Sequence, residues 1–328
     1  MKILVTGGAG YIGSHVVRRL TENKFEVIVL DNLTTGFRES LLHNEQFIFG
    51  DVGDKAVLDK IFSTHKIEAV LHFAASIVVP ESVKNPLKYY QNNTRNTLTL
   101  IDACVRHKIK NFIFSSTAAV YGVQTKGHIT EDSQLQPINP YGWSKLMSEQ
   151  ILKDTSHANP DFTHVILRYF NVAGADPMGR IGQRSPESTL LIKVCCQVAL
   201  GLKEKVEIFG NDYQTPDGTC IRDYIHVEDL AESHILALKH LLNGKPTLTA
   251  NVGYGQGHSV LEVIDMVKKV SGVDFKVIHS PRRPGDPPLL VAKAERICEK
   301  LHWTPQYQDL KVIIEHAWQW EKLLANET

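Results

Sequence analysis

Along the first half of the chain, short apolar runs rich in β-branched residues alternate with longer stretches in which apolar positions recur every three or four residues. The runs fall at 2–6, 26–31, 47–49, 69–73, 111–115 and 164–168, and the helical periodicities at 12–22, 56–63, 89–106 and 142–155. A run that is apolar at successive positions reads as a strand covered on both faces, and the helices between such strands supply the cover. The alternation predicts an α/β fold built on a doubly wound parallel sheet. After residue 169, Pro and Gly clusters at 174–186, 210–218 and 281–288 surround isolated helices and short strands, which predicts a smaller α+β lobe. A division into residues 1–170 and 171–328 is expected. It is interleaved, because the helical pattern at 227–242 can pack back on the first unit, so that about 225–250 belongs with it.

Composition narrows the class. Hydrophobic residues make up 43% of the 328 residues and charged residues 22%, with Lys+Arg 36 balanced by Asp+Glu 36. That balance supports an ordinary globular core and argues against a polyanion partner, since a nucleic-acid binder needs surplus cations to displace counterions. The run MKILVTGG passes directly into a glycine turn, as a first strand does and a secretory leader does not. No stretch approaches the roughly 18 apolar residues of a membrane span. Cys104, Cys195, Cys196, Cys220 and Cys298 show no C-x-x-C spacing and are expected to be reduced core residues of a cytosolic protein.

The segment Thr6-Gly7-Gly8-Ala9-Gly10-Tyr11-Ile12-Gly13 follows the first strand and opens the first helix. Gly8, Gly10 and Gly13 fit G-x-G-x-x-G, while Gly7, Gly10 and Gly13 fit the wider G-x-x-G-x-x-G spacing. A dinucleotide needs such a turn: tight, without Cβ atoms on the side that meets the pyrophosphate, and with helix N-terminal amides aimed at negative charge. This is the Rossmann arrangement. Asp31, 18 residues beyond Gly13, ends the second strand where a carboxylate accepts from an adenosine ribose and repels a 2′-phosphate, which favours NAD; Arg38 nearby pulls the other way. Asp51 and Val52 beside the adenine, and Phe73, Ala74 and Ala75 after the fourth strand, lie at carboxyl ends of strands as well.

Tyr141-Gly142-Trp143-Ser144-Lys145 sets a Tyr and a Lys one helical turn apart on one face. A phenol takes a hydroxyl proton only as phenolate, and its reference pKa near 10 leaves a deficit of roughly 4 kcal/mol at neutral pH. A lysine ammonium at about 4 Å in a half-screened site is worth approximately that much. An oxidised nicotinamide would add to it. Upstream, Ser115-Ser116-Thr117 closes a strand, with the Thr117 hydroxyl available to bridge a substrate oxygen and Tyr141. Ser115 and Ser116 read as strand-end groups satisfying backbone.

The blocks TGGAGYIG, LDNL, HFAA, FSSTAAVYG, PYGWSK, LRYFNVAGA, IFGNDYQTPDGTCIRDYIHV and PRRPGDPP, in this order, make the chain resemble the UDP-glucose (UDP-galactose) 4-epimerases of the extended short-chain dehydrogenase/reductase superfamily. The resemblance runs over essentially the whole chain. It implies Thr117, Tyr141 and Lys145 as catalytic residues, and Tyr11, Ile12, Asp31, Asn32, Asp51, Val52, Phe73, Ala74, Ala75, Asn93 and Phe170, with Tyr141 and Lys145, as cofactor contacts. It implies Asn171, Leu190, Phe209, Arg222, Arg283, Asp286 and Leu290 at the nucleotide sugar. The arginines suit a UDP diphosphate because a guanidinium keeps its charge away from water and donates in a fork; the competing reading pairs Arg222 with Asp223 or another carboxylate. Three positions depart from the pattern: Ile77 stands where some members have Lys, Thr189-Leu190-Leu191 lacks the Asn or His and the Pro common at the uridine edge, and Leu290 is intermediate in the size that decides whether an N-acetyl group fits. A homodimer through helices of the first unit is also implied.

The expected chemistry is oxidation at C4 of the sugar with retained NAD, turnover of a 4-keto sugar, and return of the hydride to its other face. The UDP moiety holds the intermediate by binding energy remote from the reacting carbon. N-acetylated or uronic UDP-sugars are alternative substrates. A 4,6-dehydratase would need an acid pair after Thr117, where Ala118 and Ala119 stand. A non-catalytic dinucleotide sensor would be expected to have lost Tyr141 or Lys145.

Overall fold

Ile3, Leu4 and Val5 are all fully buried, as are Val70 and Leu71 and Phe112, Ile113 and Phe114. Successive buried side chains mean that both faces of these strands are covered, the condition of a parallel sheet between helical layers. The computed structural model describes every residue except 44, 125, 126, 284, 285 and 328, so Pro284 and Gly285 of the PRRPGDPP block lie outside the described residues.

In chain order the elements are β1 (Lys2–Thr6), α1 (Tyr11–Glu22), β2 (Glu26–Asp31), β3 (Gln46–Phe49), α2 (Lys55–Thr64), β4 (Ile67–His72), α3 (Val79–Lys84), α4 (Pro86–Tyr89), α5 (Asn96–Arg106), β5 (Asn111–Thr117), α6 (Pro140–Ala158) and β6 (Thr163–Tyr169). Then follow β7 (Asn171–Ala173), α7 (Leu191–Ala199), β8 (Val206–Phe209), β9 (Ile221–His226), α8 (Val227–Leu242), β10 (Leu248–Val252), β11 (Gly257–Ser259), α9 (Val260–Ser271), β12 (Val277–Ser280), β13 (Leu289–Leu290), α10 (Glu295–Leu301) and α11 (Leu310–Glu327). Seven strands form one parallel sheet in the order β10-β6-β5-β4-β1-β2-β3. The order reverses beside β1, and the crevice at such a switch point is where open α/β sheets take ligands.

One apolar layer, with Val16, Val17 and Leu20 of α1 and Leu230, Ile235 and Leu238 of α8, covers one face of the sheet. A second, with Leu58 and Ile61 of α2, Leu100 and Ile101 of α5 and Leu152 of α6, covers the other. The smaller lobe gathers α7, α9 and α11 around Cys195, Cys196, Val263, Ile264, Ile313 and Ile314. Its strands form a set in which β9 pairs with β7, β11 and β13, and a separate pair of β8 with β12.

Two expectations are corrected. The helix read at 89–106 is not continuous: a π-helical turn, Tyr90–Arg95, separates α4 from α5. The extra residue per turn brings Asn93 inward, where its amide donates to the Ser76 carbonyl at 2.9 Å and the Ser144 hydroxyl at 3.0 Å, contacts with distant segments that local periodicity does not register. Of the five cysteines, all unpaired, four are buried and Cys298 on α10 is exposed.

Phe112 lies at 0% exposure in the sheet, between the rings of His72 and Phe162. Phe112→Ala is expected to cost about 3–5 kcal/mol, read from denaturant titration at unchanged m-value.

Candidate active site

The glycine turn is built by backbone constraint. Gly7 has φ +72, and a Cβ there would come within 2.5 Å of the Ala74 nitrogen; a Cβ on Gly13 would reach the Gly7 carbonyl at 2.2 Å. These two glycines let β1, the end of β4 and α1 converge. Gly10 differs: an added Cβ would meet only the Gly7 carbonyl, at 3.3 Å. The surface left bare there faces away from the protein's own packing, and α1 begins with no side-chain cap and no acid in its first turn. Amides so arranged favour a bound anion.

Asp31 ends β2 with its carboxylate buried, accepting from Ala9 N–H and Leu33 N–H at 2.9 Å each. Each oxygen keeps a second acceptor position, so a ribose diol can still be met. Asn32 donates to Asp51 at 2.9 Å, and Asp51 also accepts from Gly53 N–H and from Asn96, which ties the ends of β2 and β3 to α5. Val52 is buried. Phe73 and Ala74 both donate from their backbone amides to the Thr6 carbonyl, and the Phe73 ring lies against His234, while Ala75 is half-buried beyond them. Arg38 lies over the Phe47 ring at 4.8 Å. A bare helix N-terminus, a Cβ-free cradle and a strand-end carboxylate together fit a dinucleotide. Ile12 lies in the first turn of α1, and Tyr11 donates its hydroxyl to the Gly174 carbonyl at 2.6 Å, linking the turn to the smaller lobe.

At the end of β5, Asn139 caps α6 by accepting from Gly142 N–H, so that α6 starts over the strand end. The Tyr141 phenol is hydrogen-bonded to Thr117, which pulls its pKa down, while burial pushes it up more strongly. The Tyr89 ring stands edge-on to that of Tyr141, centroids 6.4 Å apart. Thr117 also accepts from Ala119 N–H at 3.1 Å. Lys145 is buried, donates to the Ser115 carbonyl at 2.8 Å and sits 5.0 Å from the Phe114 ring centre. Burial lowers its pKa to about 7, against the pull of Glu149. Burial and Thr117 thus act on the phenol, and the lysine amine is anchored on the strand-end carbonyl. Asn93 spends its amide on Ser76 and Ser144 and braces the start of α6.

On the smaller lobe, Arg222 is buried and donates to Asp286 at 2.6 Å and to the Ile221 carbonyl at 2.9 Å. Its partner is therefore Asp286 and not Asp223, which accepts from the amides of Tyr254, Gly255 and Ala292. The Arg283 guanidinium lies 3.6 Å over the Phe209 ring, and burial lowers its pKa. Leu290, opposite Arg222 in register, packs beside Phe170. A pocket between the glycine turn and this lobe brings Tyr11 together with Asn171, Gly174 and Leu190. Ile77 is exposed. Sequence reasoning missed the base of that pocket, where Lys193 pairs with Glu321 and Trp320 donates to Gln183; these residues carry no local motif, and only packing of α11 on α7 unites them.

A seven-stranded parallel sheet with a glycine turn, a strand-end acid and a Tyr-Lys pair defines a dinucleotide-dependent enzyme of the Rossmann class. The chain belongs to the NAD dependent epimerase/dehydratase family, which residues 3–253 match. It is 53% identical over 323 residues to a UDP-glucose 4-epimerase of Azospirillum brasilense, covering 98% of this chain and 92% of that one. Its fold is similar to the UDP-glucose 4-epimerase of Brucella ovis in complex with NAD, with TM-score 0.93 and 42% identity over 97% of each chain. It is also similar to the UDP-Glc/GlcNAc 4-epimerase of Campylobacter jejuni, with TM-score 0.86 and 51% identity over 98% of this chain and 99% of the other.

Because a Cβ on Gly10 would meet a single protein atom, the Gly7 carbonyl at 3.3 Å, Gly10→Ala is expected to lower stability by about 1 kcal/mol or less while reducing NAD affinity at least about tenfold, since the methyl occupies pyrophosphate space. Thermal denaturation and calorimetric NAD titration separate the two effects.

Proposed function

We propose that the protein interconverts UDP-glucose and UDP-galactose by transient oxidation at C4 of the hexose, with a 4-keto sugar as intermediate. The carrying observation is the Tyr141 phenol hydrogen-bonded to Thr117 at the carboxyl edge of the sheet, with alanines at 118 and 119. The Gly7, Gly10, Tyr11, Ile12 and Gly13 turn and Asp31 would hold NAD, which would supply the hydride acceptor when bound. Tyr141, as phenolate, takes the 4-hydroxyl proton through Thr117, whose hydroxyl accepts from the Ala119 amide and bridges the sugar oxygen and the phenol. Lys145 supports the strand end from which Thr117 acts. With no acid or base at 118 or 119, elimination of water has no proton donor there, which disfavours a dehydratase.

Arg222 and Arg283 are assigned to the diphosphate, with Asp286 setting the first and the Phe209 ring the second. Asn171 and Leu190, which share a pocket with Tyr11, are assigned to the nucleotide sugar near the cofactor turn. The first unit then carries the cofactor and the second the sugar nucleotide. Leu290, half-buried beside Phe170, faces the sugar's 2-substituent in this reading; its intermediate size supports N-acetylated sugars as a second substrate class, as in the name of the Campylobacter jejuni relative.

The reading also includes a homodimer in the cytoplasm. Leu87, Leu98, Trp143 and Met147, on α4, α5 and α6, are all 40% exposed or more, an apolar surface that a second copy would cover. Among the described residues no helix is long and apolar enough to cross a membrane.

Purified protein given UDP-galactose without added NAD is expected to release UDP-glucose, and Tyr141→Phe to lower kcat by about 10²–10⁴ with the fold intact. Product of reduced mass, or full activity in Tyr141→Phe, would reject the assignment. Sedimentation is expected to give twice the 36.8 kDa chain mass.

A further inference from the structure

Helix α6 meets the end of β5 through three successive strand residues. Lys145 donates to the Ser115 carbonyl at 2.8 Å, the Ser116 hydroxyl donates to Glu149 at 2.5 Å, and Tyr141 is hydrogen-bonded to Thr117. Tyr141, Lys145 and Glu149 are spaced four residues apart, one face of one helix. Glu149 is 0% exposed and is met by Arg168, at 1%, through two parallel bonds of 2.9 and 2.6 Å. Arg168 lies opposite Ser116 in the β5–β6 register and continues to the Tyr121 hydroxyl at 2.8 Å, which donates to Asn251 of β10 at 2.6 Å.

We propose that Glu149 is a positioning residue of the Tyr141–Lys145 site: held by Arg168, it docks α6 on Ser115–Thr117 and serves as the counter-charge of the Lys145 amine. This rests on Tyr141 and Lys145 being the catalytic pair. A buried ion pair is a poor source of stability, since an apolar pair of the same volume does as well or better. Two charges kept one turn along α6 from a buried amine, on the same helix face, therefore point to a task at that amine.

The groups on the elements around Lys145 support this. From β4 comes His72, held neutral by burial with a pKa of about 3 and hydrogen-bonded to Thr6 and Thr97. From β5 comes the Phe114 ring, and from the π-helical turn Asn93, which is uncharged. From β6 come Tyr169, whose hydroxyl is hydrogen-bonded to His234, and Arg168, already paired. From α6 come Tyr141 and Glu149, with Lys153 at 3.6 Å from the Glu149 oxygen that Arg168 also meets. The Glu149 carboxylate acts on the Lys145 amine, and its charge opposes the burial that draws the amine toward a pKa of about 7. Without that charge the amine loses its proton at lower pH, so the alkaline limb of any rate that needs the ammonium moves down.

The test is the Lys145 titration midpoint, read by NMR of 13C-lysine-labelled protein and assigned with Lys145→Arg, alongside the pH dependence of kcat on UDP-galactose. Glu149→Gln is expected to lower the midpoint by about one pH unit or more and to move the alkaline limb of kcat with it, while KM stays within about threefold. Glu149→Asp, which keeps the charge, is expected to stay within about half a unit of the wild-type midpoint. Should Glu149→Gln not fold, Glu149→Gln combined with Arg168→Met removes both members of the buried Glu149–Arg168 pair and is expected to shift the midpoint in the same direction by less. An unmoved midpoint in the folded variant, with only thermal stability reduced, overturns the proposal. The midpoint is read without turnover, so an inactive wild-type protein would count against the reaction and not against this coupling.

Discussion

The bond from the Lys145 amine to the Ser115 carbonyl joins helix α6 to the sheet, and the rest of the site takes its geometry from that junction. A parallel sheet ends all its strands along one edge, where the last carbonyls and amides have no further strand to meet. Here those groups become points of attachment. Ser115 receives the lysine, Ser116 gives its hydroxyl to Glu149, and Thr117 meets both the Ala119 amide and the Tyr141 phenol. A buried amine without an acceptor would be costly, so the junction tolerates little displacement.

The same edge is where the chain returns after visiting the smaller lobe. Strand β10 lies parallel to β6, and α8 packs against α1 on the face that carries the glycine turn. Between these two elements and β9, the buried Asp223 accepts three backbone amides, from Tyr254, Gly255 and Ala292. Asp229 does comparable work in the first turn of α8, accepting from Tyr254 and from the amides of Gln306 and Tyr307. These carboxylates hold the lobe against the sheet, and so bring Arg222, Asp286 and Leu290 over the strand ends instead of leaving them on a separate surface.

Much of this was legible in the chain. Strands covered on both faces carry consecutive apolar residues, which is why 2–6 and 26–31 could be bounded to the residue. The glycine turn was legible because its constraints act within a few residues, and Tyr141 with Lys145 because their spacing is one helical turn. The π-helical turn at Tyr90–Arg95 was not, since its cause lies in Ser76 and Ser144. Nor was the lysine's anchorage: spacing put it near the phenol, while the acceptor it found belongs to a strand 30 residues earlier.

Local order along the chain determined the parallel sheet, the dinucleotide turn and the Tyr-Lys face, because each depends on period or on contacts between near neighbours. Only the tertiary structure decided which carboxylate each arginine meets, Glu149 for Arg168 at 19 residues and Asp286 for Arg222 at 64. The reason is physical: the energy of a buried charge is set by what surrounds it, and those surroundings exist only once distant segments have packed.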